Sequence, residues 1–334
     1  MPDWWGVRMP SGATGEPPGD QLGRSTGGPH PHHIVAAVLG LAVLVALAVS
    51  GVVPDLGPGG TSAQGAGGAP ATSTSPGTDG TAYASPGPSS TPPGSTEPPG
   101  PLTVVGLGDS VPSADTCGCT GYVEQVGSRL QRLTQRPWVV HNDATGGWTT
   151  TDVADDLLTS PTRGHLADAD LVIVQVGAND FDLGSVADRG CMPAATSDCW
   201  SATIAGLRDG LTRIIHDVRL IDTRPDLRIA VLGYWNVTLD GAVGRALGSD
   251  LVLGSDALPR LVNTTVAQVA AGTGAVYVDA YTPLKGESGD RDPTDDLLED
   301  GDHPNATGHT LLSTAVIDGL ADDGAVSAWR QLPR

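Results

Sequence analysis

From Leu102 to the C-terminus, short apolar runs alternate with stretches of helical period, the pattern of a parallel sheet covered by helices. Strands are expected near residues 103–106, 138–142, 170–176, 227–232 and 275–279. Between them, Tyr122, Val126, Leu130 and Leu133 mark one helix face, and Leu207, Leu211, Ile214, Val218 and Ile221 mark another. Five strands with right-handed crossovers imply an α/β fold: a three-layer α/β/α sandwich on a flavodoxin-like parallel five-stranded sheet. Sites in such a sheet collect at the carboxyl ends of the strands.

The rest of the 334 residues does not follow that pattern, and 46 Gly with 27 Pro are too many for a uniformly packed fold. Residues 1–33 are Gly, Pro and polar without a period, which reads as a disordered cytoplasmic tail whose His30, His32 and His33 are not expected to bind metal. Residues 34–53 carry no charge, and as a helix they would extend about 30 Å, one hydrocarbon thickness. A transmembrane signal anchor is expected there. Arg8 and Arg24 precede the run and the next basic residue after it is Arg129, so the positive-inside rule puts the N-terminus in the cytoplasm and everything after Pro54 outside. The alternative is a signal peptide cleaved among the small residues between Ala63 and Ala66, followed by secretion. The apolar run is longer than a signal core of roughly 7 to 15 residues, which favours the anchor. Residues 54–100, dominated by Gly, Pro, Ser and Thr, form a linker of about 40 Å root-mean-square span. The domain at 101–334 has an expected radius of gyration of about 17 Å, so it can stand off the membrane or turn towards it.

Charge narrows the partners. With 18 basic residues against 38 acidic ones the net charge is −20, and Lys285 is the sole lysine, so nucleic acid is not an expected partner. Cys117, Cys119, Cys191 and Cys199 all follow the apolar run, where an oxidising compartment permits disulfides. Three connectivities are open, and with no His at ligand spacing from either pair no metal is expected.

Four segments at strand ends carry chemistry. Gly106-Leu107-Gly108-Asp109-Ser110 ends the first strand in a glycine turn that exposes Ser110 at the start of a short helix. Asn142 to Thr150 follows the second strand with Gly146 and Gly147, whose backbone amides can bind an oxyanion, or else forms a plain strand-to-helix turn capped by Thr149. Gly177-Ala178-Asn179-Asp180 ends the third strand and puts a neutral amide donor on the rim that holds Ser110. Near the C-terminus, Asp300-Gly301-Asp302-His303-Pro304 sets a carboxylate three residues before a histidine, ahead of a final helix. Such a carboxylate fixes the imidazole tautomer and stabilises its cation, while the other ring nitrogen takes a serine proton. Taken singly, each segment is also an ordinary turn or helix cap.

Together, in this order, the four segments resemble the SGNH (GDSL) hydrolase family over residues 101 to about 320. The resemblance implies the SGNH fold, Ser110 as nucleophile, and Asp300 and His303 as its triad partners. It also implies an oxyanion hole made of the Ser110 amide, the Gly147 amide and the Asn179 side chain. Val111 replaces the family's Leu, Asp143 stands where an apolar residue is usual, and Trp148 is bulkier than the small residue expected beside the glycine. Asp302 is a second, weaker candidate for the triad acid. Similar actinobacterial members carry a short disulfide loop after the asparagine. Together with the separation of eight residues, that leads us to expect Cys191 to pair with Cys199. Cys117 and Cys119 remain open between a tight local ring and crossed pairing with the other two.

The expected function is therefore that of an extracytoplasmic carboxylic ester hydrolase, a GDSL-type esterase or lipase and a monomer, acting through an acyl-enzyme without metal or cofactor. The substrate is an ester of lipid or acylated-glycan type. The same triad could pass the acyl group to a sugar hydroxyl as a cell-envelope O-acyltransferase, and a non-catalytic envelope-binding module is a third reading. Trp148, Tyr234 and Trp235 fall at strand ends as lining for the acyl or sugar pocket, with a core position the alternative for Trp235.

Overall fold

The structure is a computed structural model that describes residues 100–182, 191, 198–238 and 240–332. The expected tail at 1–33 and anchor at 34–53, and the expected linker up to residue 99, lie outside the described residues. Among the described residues, no helix is long and apolar enough to cross a membrane.

In chain order the elements are β1 (Leu102–Gly108), α1 (Ser110–Ser113), α2 (Tyr122–Thr134), β2 (Trp138–Asn142), α3 (Thr150–Asp156), α4 (Ser160–Leu166), β3 (Leu171–Gln175) and α5 (Ser201–Ile221). These are followed by β4 (Arg228–Leu232), α6 (Gly241–Leu247), α7 (Ser249–Thr273), β5 (Val276–Val278), α8 (Tyr281–Lys285), α9 (Ala306–Asp322) and α10 (Ala325–Gln331). All strand pairs are parallel and the sheet order is β2-β1-β3-β4-β5, the doubly wound order expected from the sequence. Helices α2, α9 and α10 pack together on β1, β2 and β5, while α3, α5 and α7 form a second packed group against β1, β4 and β5.

The strands were legible because a parallel strand covered on both faces is a continuous apolar run. In β3 every residue is buried, and β1 is buried except at Thr103. The outermost strand β2 is buried at Trp138 and half-buried or exposed beyond it. Tyr122, Val126 and Leu130 of α2 are fully buried, as are Leu207, Leu211, Ile214 and Val218 of α5. Leu133 departs from the expected face and is 43% exposed. Its place at the end of α2 is taken by Thr134, whose hydroxyl donates to the Leu130 carbonyl at 2.7 Å and accepts from Trp138 Nε1 at 3.0 Å.

Lys285 and Asp240 form an ion pair inside the protein. Lys285 Nζ meets Asp240 Oδ2 at 2.5 Å, with side chains only 5% and 4% exposed. Asp240 also caps α6 through the Gly241 N–H at 2.7 Å, and its own N–H donates to the Gly301 carbonyl at 2.8 Å. Removing one partner of a buried pair strands the other charge. Lys285→Ala should therefore cost about 3 to 5 kcal/mol in urea unfolding. A loss below about 1 kcal/mol, the scale of an exposed pair, would show that the pair is hydrated in solution.

Candidate active site

The strand ends of β1, β2 and β3 supply three adjoining turns. Gly108 sits at φ +148°, and a Cβ there would collide with the Gln175 carbonyl, so only glycine lets the chain leave β1 this close to β3. Asp109 caps α1, its Oδ1 accepting the Val111 N–H at 3.0 Å, and Ser110 is the first residue of that helix. In the second turn Thr145 N–H reaches the Gly108 carbonyl at 3.0 Å, and Trp148 N–H closes back on Thr145 at 3.3 Å. That closure places Gly147 at φ +83°. A Cβ on Gly146 would stand 3.7 Å from Ser110 Cβ, so this turn lies alongside the serine. Thr149 caps α3 in a capping box with Asp152, the cap that the sequence offered as the alternative for this turn.

The third turn is tied to the second. Asn179 Nδ2 donates to the Trp148 carbonyl at 3.0 Å, which orients the amide and leaves its second N–H for another acceptor. Asp180 accepts the Thr150 N–H at 3.0 Å and the Thr150 hydroxyl at 2.5 Å. Among the described residues, neither the Ser110 nor the Gly147 N–H is given to a protein acceptor. Two backbone N–H groups and one side-chain N–H on these adjoining turns thus remain uncommitted, donors of the kind that hold an oxyanion.

The fourth segment brings the base. Asp300 Oδ1 accepts the N–H groups of Asp302 and His303, both at 3.0 Å, which turns Oδ2 onto His303 Nδ1 at 2.9 Å. An ionised carboxylate only accepts, so Nδ1 carries the hydrogen and Nε2 faces Ser110 Oγ, at 2.9 Å, as the acceptor. Asp302 Oδ2 is farther from Nδ1, at 3.7 Å, so Asp300 is the direct partner. Burial alone would depress the imidazole, but the Asp300 hydrogen bond and the charges of Asp302, Asp300 and Asp109 outweigh it and raise its pKa above 6.5. Burial works against ionised Asp300, yet the hydrogen bonds from His303 and Asp302 hold its pKa below 3.8.

Ser110, Gly147, Asn179, Asp300 and His303 therefore stand on one rim. The sulfurs of Cys117 and Cys119 are joined, with Cα atoms 5.1 Å apart, and those of Cys191 and Cys199 are joined, with Cα atoms 5.8 Å apart, so the crossed pairing is not adopted. Sequence spacing placed no histidine near these pairs, but folding brings the buried His309 to the first, with ligand atoms of Cys117, Cys119 and His309 within 4.8 Å of one another. In the disulfide those sulfurs are not thiolates, the form that ligates metal.

One expectation about the pocket is corrected: Tyr234 is only 1% exposed, in the core, where it borders a small apolar cavity with Phe181 and Val262. Trp235, 0% exposed, takes the core position that was its alternative. Tyr234 donates its hydroxyl to Asp109 Oδ2, and Trp235 Nε1 donates to the Asp302 carbonyl at 3.1 Å. Trp148 is half-buried against the core. Asp143, unusual for its position, is matched by His165 of α4, whose Nδ1 lies 2.8 Å from Oδ2 and whose ring stacks on His141 at 3.9 Å. Sequence reasoning missed these partners. The one cue to Tyr234 and Trp235 was that the apolar run of β4 continues into them.

Residues 106–311 match the GDSL-like lipase/acylhydrolase family, and the chain belongs to it. It is a carboxylic ester hydrolase. No curated protein matches the chain. Among solved structures, a lipase from a goat rumen metagenome is 15% identical, with 65% of this chain and 97% of that one covered and a TM-score of 0.52, a likeness of fold. An acetylxylan esterase from Geobacillus stearothermophilus is 18% identical over 66% of this chain and 94% of its own, with a TM-score of 0.47.

The electrostatics can be read by titration. The His303 imidazole should titrate in NMR above 6.5, Asp300→Asn should lower its midpoint, and Asp302→Asn should lower it less. A midpoint below 6.5, or one indifferent to Asp300→Asn, would contradict the arrangement.

Proposed function

We propose that the chain is an extracytoplasmic serine ester hydrolase in which Ser110 forms an acyl-enzyme with His303 as base and Asp300 as its partner. The observation that carries this reading is the continuous relay Asp300–His303–Ser110, with both links at 2.9 Å. His303 Nε2 takes the Ser110 proton as Oγ bonds to the ester carbonyl carbon. The resulting oxyanion is held by the amides of Ser110 and Gly147 and by Asn179 Nδ2. Collapse expels the alcohol, which receives the proton from His303. Water then adds to the acyl-enzyme, giving its proton to His303, and the second collapse releases the acid and restores Ser110. The substrate is an ester of lipid or acylated-glycan type, and a nitrophenyl ester chain-length series beside acetylated glycans separates the two.

Ser110→Ala should abolish hydrolysis without unfolding the protein, because the residue supplies the covalent step from a half-buried turn. Asn179→Ala should lower turnover roughly 100-fold, the usual cost of one oxyanion donor. Turnover near wild type in the first variant, or a change confined to substrate affinity in the second, would refute the assigned roles. Adding a sugar alcohol as competitor tests the acyltransferase variant of the mechanism: an acylated sugar replacing the free acid would make transfer the main reaction.

For location, the charge-free run at 34–53, with Arg8 and Arg24 before it and no Lys or Arg after it until Arg129, supports an uncleaved anchor with the catalytic domain outside. The full-length protein should sediment with membranes, and cleavage within residues 54–100 should release an active soluble domain. A mature form beginning near residue 60 would mean that the run is a signal peptide.

A further inference from the structure

The sheet does not by itself fix the distance between Ser110 and Asn179. The last backbone hydrogen bond joining β1 to β3 runs from Asp109 N–H to the Gln175 carbonyl at 3.1 Å. The chains turn away at glycine around it, at Gly108 (φ +148°) just before Asp109 and at Gly177 (φ +139°) two residues after Gln175. Ser110 and Asn179 lie past that point, yet an oxyanion hole requires them to be held to a few tenths of an ångström.

A third strand end supplies the connection. The Tyr234 hydroxyl, just past β4, donates to Asp109 Oδ2, and Tyr234 borders the same small cavity as Ala178. It thereby ties the residue before Ser110 to a core position beside the residue before Asn179. Tyr234 is itself clamped: Asn263 of α7 accepts its N–H and donates to its carbonyl, both at 2.7 Å, and Gln175 Nε2 holds the preceding Gly233 carbonyl at 2.9 Å. Asp109, Gln175 and Tyr234 are each at most 1% exposed, and Asn263 is 9% exposed. Burial pushes the Asp109 carboxyl up to about 6 even though the Tyr234 hydroxyl, the Val111 N–H and His303 favour its charged form. A buried carboxylate is a costly way to fill a core, and an apolar residue would pack there at less expense. A connected polar network does, however, fix one arrangement of the groups it joins.

We infer that Tyr234 is a positioning residue for ester hydrolysis, setting the separation of the Ser110 nucleophile and the Asn179 oxyanion donor through its bond to Asp109 and its place beside Ala178. The inference rests on the roles proposed above for Ser110 and Asn179. Tyr234 touches neither substrate nor reacting atoms, so its effect falls on the transition state and not on ground-state binding.

Three variants test it on a nitrophenyl ester, with inhibition by a trifluoromethyl ketone, which adds to the serine as a tetrahedral adduct. Tyr234→Phe should lower kcat about 10- to 100-fold, with KM within about two-fold, and weaken the ketone by a similar factor. A merely structural tyrosine would lower the melting temperature while leaving kcat and ketone affinity of the folded protein unchanged, and that result would overturn the inference. If Tyr234→Phe does not fold, Asn263→Ser, which loosens the Tyr234 backbone and keeps its hydroxyl, should show a smaller loss with the same split. Wild-type kcat and ketone affinity in that folded variant would equally overturn the inference. Ser110→Ala runs alongside: activity surviving there would refute the triad, whereas an inactive Ser110→Ala with an unimpaired Tyr234→Phe would refute the positioning role alone.

Discussion

The hydrogen bond from Asp109 N–H to the Gln175 carbonyl is the last backbone link between β1 and β3, and the residues of the candidate site lie beyond it. Up to that bond, geometry is set by a parallel ladder between strands buried on both faces. Past it, cross-links of another kind take over: Asn179 to the Trp148 carbonyl, Asp180 to Thr150, Tyr234 to Asp109 and Trp235 to the Asp302 carbonyl. A rigid sheet edge thus carries exposed turns whose relative positions depend on a few hydrogen bonds. Among these, the bonds from Tyr234 and Trp235 run through the buried segment after β4, which touches both the serine turn and the histidine loop.

The same crowding of carboxylates shapes the electrostatics. Asp300, Asp302 and Asp109 all act on His303, and together they overcome the burial that would otherwise keep the imidazole neutral. An imidazole with a raised pKa readily takes a proton from the serine, and the cation so formed is stabilised by Asp300 at 2.9 Å. Asp300 is the more effective partner because three hydrogen bonds hold its two oxygens, whereas Asp302 approaches the ring only at 3.7 Å.

What the sequence disclosed followed the range of the interactions concerned. Strands were readable because each is a contiguous apolar run, and each observed strand falls within two residues of its expected bounds. The residues of the candidate site were readable because each sits in a short motif at a strand end or a loop. Helix α7 was not, since Pro259 in its interior breaks the helical pattern and its buried positions are spread along the whole element. Tyr234 was assigned to the wrong surroundings, and Trp235 left open between pocket and core, for a different reason: their hydroxyl and indole partners lie 125 and 67 residues away, and no local pattern records which way a side chain past a strand end will turn. Asp143 looked anomalous for the same reason, its partner His165 being 22 residues further on.

The central claim is that Ser110 is the nucleophile activated by His303. The most direct measurement is the mass of the protein after reaction with a fluorophosphonate ester, followed by peptide mapping. Displacement of fluoride by Ser110 Oγ should leave one phosphonyl group per chain, located on the peptide containing Ser110, and the adduct should form far more slowly in His303→Ala. An adduct on another residue, no adduct with the native protein, or labelling at the same rate without His303 would contradict the account.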